Sequence, residues 1–280
     1  FDGVHRGHRL LLDQALQRAR ESDLDLVVVT FDPNPAVVLR PGLRRYQLSG
    51  PKIKLRLLAE FEPACVLMLP FTLELSRLSA GEFMDALESR LVVRELWLGE
   101  DFRFGRGREG DSRLLAERGE RSGFVLHSVE RHIDDPTGIS SSRVRRALAA
   151  GDMDLTMRLL GYPFCLEPGE ANAIETIADR RLHRYAVEDD LAIPADGAYA
   201  VLLSDGSGPP APAACTVEDG APFPLSVLSE YAPAGPCTIE FIAKLDDDGA
   251  SPATLDRDYS RAIVVAGYWT RPVYPPAGHL

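Results

Sequence analysis

Cysteine is scarce in this 280-residue chain, and its four copies (Cys65, Cys165, Cys215, Cys237) are never spaced C-x-x-C. That argues against a zinc site and against a disulfide framework, so a reduced, cytoplasmic setting is the expectation. No apolar run approaches the roughly 20 residues that cross a bilayer, and no secretory pattern is present, so no membrane partner is expected. Basic residues thin out beyond residue 162: 7 Lys and Arg face 18 Asp and Glu there, whereas residues 1–162 hold 24 of each. The whole formal charge of −11 therefore belongs to the second part, which disfavours a nucleic-acid partner. With 45% hydrophobic and 26% charged residues, the chain is globular in composition and long enough for two cores. Nothing in it speaks to oligomeric state, and no metal-ligand set stands out.

The most informative stretch is the first: Phe1-Asp2-Gly3-Val4-His5-Arg6-Gly7-His8. It runs into an amphipathic segment, Arg9 to Glu21, with Leu11, Leu12, Ala15, Leu16 and Ala19 at helical spacing. If the turn is helical, His5 and His8, three apart, point the same way. Gly7 places no side chain between them, and a helix start offers free N–H groups and a positive dipole end to an oxyanion. Taken alone, two histidines near a chain end are equally well ordinary surface residues.

Short β-branched runs follow, alternating with helical segments. Leu26 to Phe31, Ala64 to Leu69, Val92 to Leu98 and Phe124 to Val129 read as strands, the first buried on both faces. Lys52 to Phe61, Ser79 to Leu91, Ser112 to Arg121, Ser140 to Ala150 and Asp152 to Leu160 read as helices. Ser79 and Glu82 are placed to form a capping box. This alternation predicts βαβ units in a doubly wound parallel sheet, with ligands beyond the carboxyl ends of the strands. From Tyr162 the helical period fades and glycine and proline become frequent, as in Gly206 to Pro212. Ala198 to Leu203, Cys237 to Leu245 and Arg261 to Ala266 read as strands of a small all-β, barrel-like domain, residues 163–280.

Three further blocks accompany the first: Thr30-Phe31-Asp32-Pro33-Asn34-Pro35; Gly99-Glu100-Asp101-Phe102-Arg103-Phe104-Gly105 with Gly110-Asp111; and Ile139-Ser140-Ser141-Ser142-Arg143-Val144-Arg145. In this order, over residues 1 to about 162, they resemble the FAD synthetase (FMN adenylyltransferase) domain of the bacterial bifunctional riboflavin kinase/FAD synthetases. The resemblance implies a Rossmann-like nucleotidyltransferase domain, residues 1–162, with ATP and FMN as substrates and Mg²⁺ as cofactor. It places His5, His8 and Arg145 in the catalytic machinery. Asp2, Gly3, Gly7, Ser140, Ser141 and Ser142 fall at the nucleotide; Asp32, Pro33, Asn34, Asp101, Phe102, Phe104 and Gly105 fall at the flavin. The family also has a strand just ahead of the first block, so an opening strand before Phe1 is expected. Residues 163–280 would then be a degenerate riboflavin kinase barrel. They lack the Gly-Arg-x-Leu-Gly-x-Pro-Thr-x-Asn segment of that kinase, and Glu240 is only a weak match for its base.

Plainer readings stand beside these assignments. The serine run could be a capped helix with solvent-facing arginines. Phe102 and Phe104 could be loop core, Asp101 and Asp111 solvated carboxylates, and Asp32 and Asn34 an Asx-type turn. Asn34 also stands where the family has histidine, and so carries no titratable charge. Two other functions compete with FAD synthesis: a nucleotidyltransferase with a different phosphorylated acceptor, and a non-catalytic nucleotide- or flavin-binding protein.

Overall fold

The structure, a computed structural model, describes residues 1–129, 138–177, 179–231, 233, 235–245 and 255–267. The chain divides into two compact units, one of Phe1–Leu43 and Lys54–Ser140, the other of Arg44–Ile53 and Ser141–Leu280. The boundary expected near residue 162 thus falls within the second unit, because the helices of residues 141–160 pack there.

In the first unit, α1 (Arg6–Ser22) leads to β1 (Val27–Asp32), the short α2 (Pro35–Leu39), α3 (Pro51–Ala59, its last residues in this unit) and β2 (Cys65–Pro70). Next come α4 (Ala80–Glu88), β3 (Glu95–Gly99), α5 (Ser112–Ser122) and β4 (Val125–Val129). β1 pairs in parallel with β2 from Val27↔Cys65 to Asp32↔Pro70, and β3 with β4 from Glu95↔Val125 to Gly99↔Val129. Among the described residues these are two separate two-stranded sheets rather than one continuous sheet. The expectation of a β1 buried on both faces is corrected accordingly. Val28 and Thr30 are buried while Val27 and Val29 are only partly covered, so one face of β1 is closed and the other partly open.

Local sequence accounts for these helices. Ser79 Oγ accepts from the Glu82 amide while the Glu82 carboxylate accepts from the Ser79 amide, so the capping box forms as expected. Leu11, Leu12, Ala15 and Ala19 form the buried stripe of α1. Arg9–Glu60, Arg18–Glu95 and Arg20–Glu62 ion pairs line its flanks. Met84, Leu98, Leu115 and Phe124 form a core between α4, α5 and the second strand pair.

Among the described residues the second unit carries α6 (Ser141–Ala149), α7 (Met153–Leu160), seven strands and α8 (Leu255–Gly267). The strands are β5 (Phe164–Gly169), β6 (Ala173–Ile177), β7 (Arg180–Tyr185), β8 (Gly197–Ser204), β9 (Ala211–Val217), β10 (Leu225–Ser229) and β11 (Cys237–Lys244). They form one antiparallel sheet in the order β5-β11-β8-β9-β10-β7-β6. Two expectations are corrected here. The domain is not all-β: Arg261 to Ala266 lies in α8, where Leu255, Tyr259, Ala262 and Ala266 recur at helical spacing and bury against Leu182, Ala198, Ala200, Leu202, Ala214 and Leu228. Nor is it a closed barrel, since among the described residues no ladder joins β5 to β6.

The sheet is nevertheless strongly curled. Four strand steps at ~4.8 Å would hold β11 and β7 about 19 Å apart if flat, yet the Cys237 thiol donates to the Tyr185 hydroxyl at 3.3 Å. Tyr185, Tyr199, Phe164 and Phe241 fill the concave face.

His183 of β7 is 2% exposed, and among the described residues its Nε2 meets no hydrogen-bond partner. Burial, and then the charge of Arg181, push its pKa below the usual imidazole value. The folded chain therefore binds fewer protons here than the unfolded chain does. Stability is full above the unfolded pKa of ~6.5 and falls as pH drops below it. Replacing His183 with Leu should flatten the loss of melting temperature between about pH 7 and pH 5; an unchanged slope would place the acid sensitivity elsewhere.

Candidate active site

The first block is built around a helix cap. Gly3 (φ +73°) and the fully buried Val4 (φ +32°) turn the chain into α1. His5 is the N-cap: its carbonyl accepts from the His8 and Arg9 amides, and its Nδ1 accepts from the His8 amide at 3.4 Å. The two imidazoles stack at 3.7 Å between centroids and 12° between planes, so they do share a face. With Nδ1 accepting, Nε2 is the nitrogen that would carry the proton of a neutral His5 ring. Gly7 has a packing reason beyond ligand access: a Cβ there would lie 3.3 Å from the His5 ring and 3.7 Å from the Ile139 carbonyl. Ile139, which opens the serine–arginine block, thus lies beside the start of α1.

The second block meets the first directly. Asn34 Oδ1 accepts from the Ala36 amide and caps α2, while Asn34 Nδ2 donates to Asp2 Oδ2 at 3.2 Å. The turn-shaping reading of Asn34 therefore holds, and the same side chain ties the second block to Asp2 of the first. The Asp32–Pro33 bond is cis. Lys54 of α3 is 2% exposed and donates to the Phe31 carbonyl (2.8 Å) and to Asp32 Oδ1 (3.3 Å). Sequence reasoning passed over Lys54. Its signal was a cation on the apolar stripe of Ile53, Leu57 and Leu58, where a buried charge requires a partner.

The glycine-rich loop separates two aromatics that sequence treats alike. Phe104 is anchored by a two-way backbone bridge to Gly110 and packs on Phe83, so it is core. Phe102 lies against Phe104 at 5.6 Å but is 41% exposed, leaving its outer face for a planar ring. Gly105 (φ +73°) sits where a Cβ would come 2.6 Å from the Ala80 amide nitrogen. Glu109 ties the same loop to α4 by accepting from that amide. Asp111 is a helix cap, accepting from the Leu114 amide, whereas Asp101 is exposed.

In the second unit, Ser141 begins α6, with Ser140 immediately before it and Ser142 exposed. Arg145 on that helix donates from Nε to the Tyr46 carbonyl at 2.6 Å, and its guanidinium lies 3.7 Å over the Tyr46 ring. Tyr46 gave no signal in the sequence, being 99 residues away. Among the described residues no group of three or more His, Cys, Asp or Glu is placed to cage a metal ion, and no helix is long and apolar enough to span a membrane.

A capped helix start carrying stacked imidazoles thus sits in an α/β unit of parallel strands and helices, and a helix start is where backbone N–H groups favour anions. The FAD synthetase family matches residues 1–143, and the chain belongs to that family. Among curated relatives, the bifunctional riboflavin kinase/FMN adenylyltransferase of Escherichia coli (strain K12) is 40% identical over 167 residues, 59% of this chain and 53% of its own. The Pseudomonas fluorescens protein of the same description is 37% identical over 195 residues, 69% and 59% of the two chains. That of Haemophilus influenzae is 30% identical over 217 residues, 74% and 68%. The chain thus spans between about half and two thirds of the length of these relatives. A solved structure described as a macrolide-efflux protein from Streptococcus pneumoniae superposes with a TM-score of 0.78, covering 98% of this chain and 92% of that one. At 22% identity it bears on the fold alone.

Proposed function

We propose that this protein transfers the adenylyl group of ATP to FMN, giving FAD and pyrophosphate. The observation that carries the proposal is the His5–His8 stack at the N-cap of α1, inside the stretch that matches the family. In this reaction an oxygen of the flavin phosphate attacks the α-phosphorus, and the bond to the pyrophosphate oxygen breaks. No protein nucleophile is required; positioning and charge stabilisation dominate.

Each residue then has a role. His5 and His8 donate to the charge that develops at the α-phosphate. Asp2, Gly3 and Gly7 shape the nucleotide side of the same turn, and Ser140, Ser141, Ser142 and Arg145 bind phosphate oxygens. Asp32, Pro33 and Asn34 hold the flavin phosphate, and Phe102 stacks on the ring system. Phe104 and Gly105 support that loop from the core. Mg²⁺ takes one or two carboxylates together with phosphate oxygens and waters. Asp101 belongs to the flavin side, and Mg²⁺ bound with the triphosphate would neutralise phosphate charge.

Residues 163–280 we read as a kinase-like domain without kinase activity, since the Gly-Arg-x-Leu-Gly-x-Pro-Thr-x-Asn segment has no counterpart after Gly161. Labelled ATP tests both parts. With α-labelled ATP, label should enter a dinucleotide when FMN is the acceptor and not when other phosphate monoesters are offered. Transfer to another acceptor in preference to FMN would overturn the flavin assignment. With γ-labelled ATP and riboflavin, no labelled FMN should form, and appreciable FMN would restore the kinase.

A further inference from the structure

The strap of residues 44–53 joins the second unit although its neighbours on both sides belong to the first. The strap is pinned to the turn at residues 188–192. The Arg45 amide donates to the Asp189 carbonyl, and the Tyr46 and Gln47 amides to that of Asp190, at 2.7 to 2.8 Å. The Ala192 amide returns a bond to the Gln47 carbonyl at 2.8 Å, and Gln47 Nε2 donates to Asp190 Oδ2 at 2.7 Å. Arg45, in a left-handed conformation (φ +52°), reaches Asp219 at 2.9 Å. Gln47, Leu48 and Ser49 are at most 4% exposed. So dense a set of anchors leaves the strap little freedom, and the acidic residues that set the charge of this part of the chain supply several of them.

The one ring this strap presents to α6 is Tyr46. We infer that Tyr46 is the positioning residue for Arg145, and that the acidic β-sheet unit acts on adenylyl transfer through it. The inference rests on the role proposed above for Arg145. A guanidinium has a plane and an edge, and both are fixed here: the face by the Tyr46 ring at 3.7 Å, the Nε edge by the Tyr46 carbonyl at 2.6 Å. An arginine so held meets phosphate oxygens in one orientation and loses little side-chain freedom on doing so. An unstacked arginine would still carry the charge but would have to be ordered in each turnover. This gives the residues after 162 a task that needs no kinase chemistry: holding the strap that orients the clamp.

The test is a double-mutant cycle on the full chain, read as kcat and KM for FAD formation, with a thermal melt for each variant. Tyr46→Leu keeps an apolar side chain and the backbone carbonyl but removes the π face. It should lower kcat on the order of 10-fold, leave KM for FMN unchanged, and melt close to the parent. Tyr46→Phe, which retains the ring, should restore the parent rate. In an Arg145→Ala background the Tyr46→Leu loss should vanish, because both changes remove one arrangement. A normal rate for Tyr46→Leu, or the same 10-fold loss repeated without Arg145, would overturn the inference. If instead the unmutated chain makes no FAD, the proposed function itself fails; if only Arg145→Ala is silent, that arginine's role fails, and the inference with it.

Discussion

Replacing His5 with Asn should lower the rate of FAD formation by on the order of 10²-fold while leaving the fold almost untouched. The substitution separates two things that His5 does at once. As N-cap of α1 it supplies a side-chain acceptor for the His8 amide, and Asn is among the best residues for that position. As half of the stacked imidazole pair it supplies a buried ring nitrogen at a helix start, and Asn at that position cannot reproduce the ring. A 10²-fold loss corresponds to about 2.7 kcal/mol of transition-state stabilisation, the scale on which one oxyanion donor acts. Initial rates alongside a melting curve decide the matter. A slow enzyme with a parental melt supports the chemical role, and an unchanged rate reduces His5 to a cap.

Gly105→Ala should destabilise the protein by about 3 kcal/mol, read as a lower denaturation midpoint. The backbone there has φ +73° and ψ 173°, a region that side chains avoid, and the new methyl would meet the Ala80 amide nitrogen at 2.6 Å and its Cα at 2.8 Å. Both are backbone atoms at the start of α4 and cannot swing aside. Gly107 provides the control: its φ is +62°, but nothing lies within 4 Å of a Cβ built there. Gly107→Ala should therefore cost only the conformational term, about 1 kcal/mol. Equal effects at the two positions would show that the loop is not seated on α4 as described. Against a total stability of 5–15 kcal/mol, the difference is large enough to measure.

Much of this was legible from sequence wherever the determinants are local. The Ser79/Glu82 capping box, the shared face of His5 and His8 and the helix–strand alternation up to residue 160 depend on residues three or four apart. Where the sequence reading missed, distance or competition was the cause. Arg261 to Ala266 looks extended because Ile263, Val264 and Val265 are β-branched. The spacing of Leu255, Tyr259, Ala262 and Ala266 outweighs that preference, because it lays a continuous stripe on the sheet. Phe102 and Phe104 are indistinguishable as text; only the bridge between Phe104 and Gly110 turns one inward and leaves the other exposed. The partnership of Arg145 with Tyr46, and that of Lys54 with Asp32, depends on tertiary contacts to which no local pattern points.

The most direct test of the account is to incubate the full chain with FMN, ATP and Mg²⁺ and separate the products by chromatography. The account predicts FAD and pyrophosphate in equal amounts, increasing with time and with enzyme. FMN and ATP both bound yet recovered unchanged would contradict it.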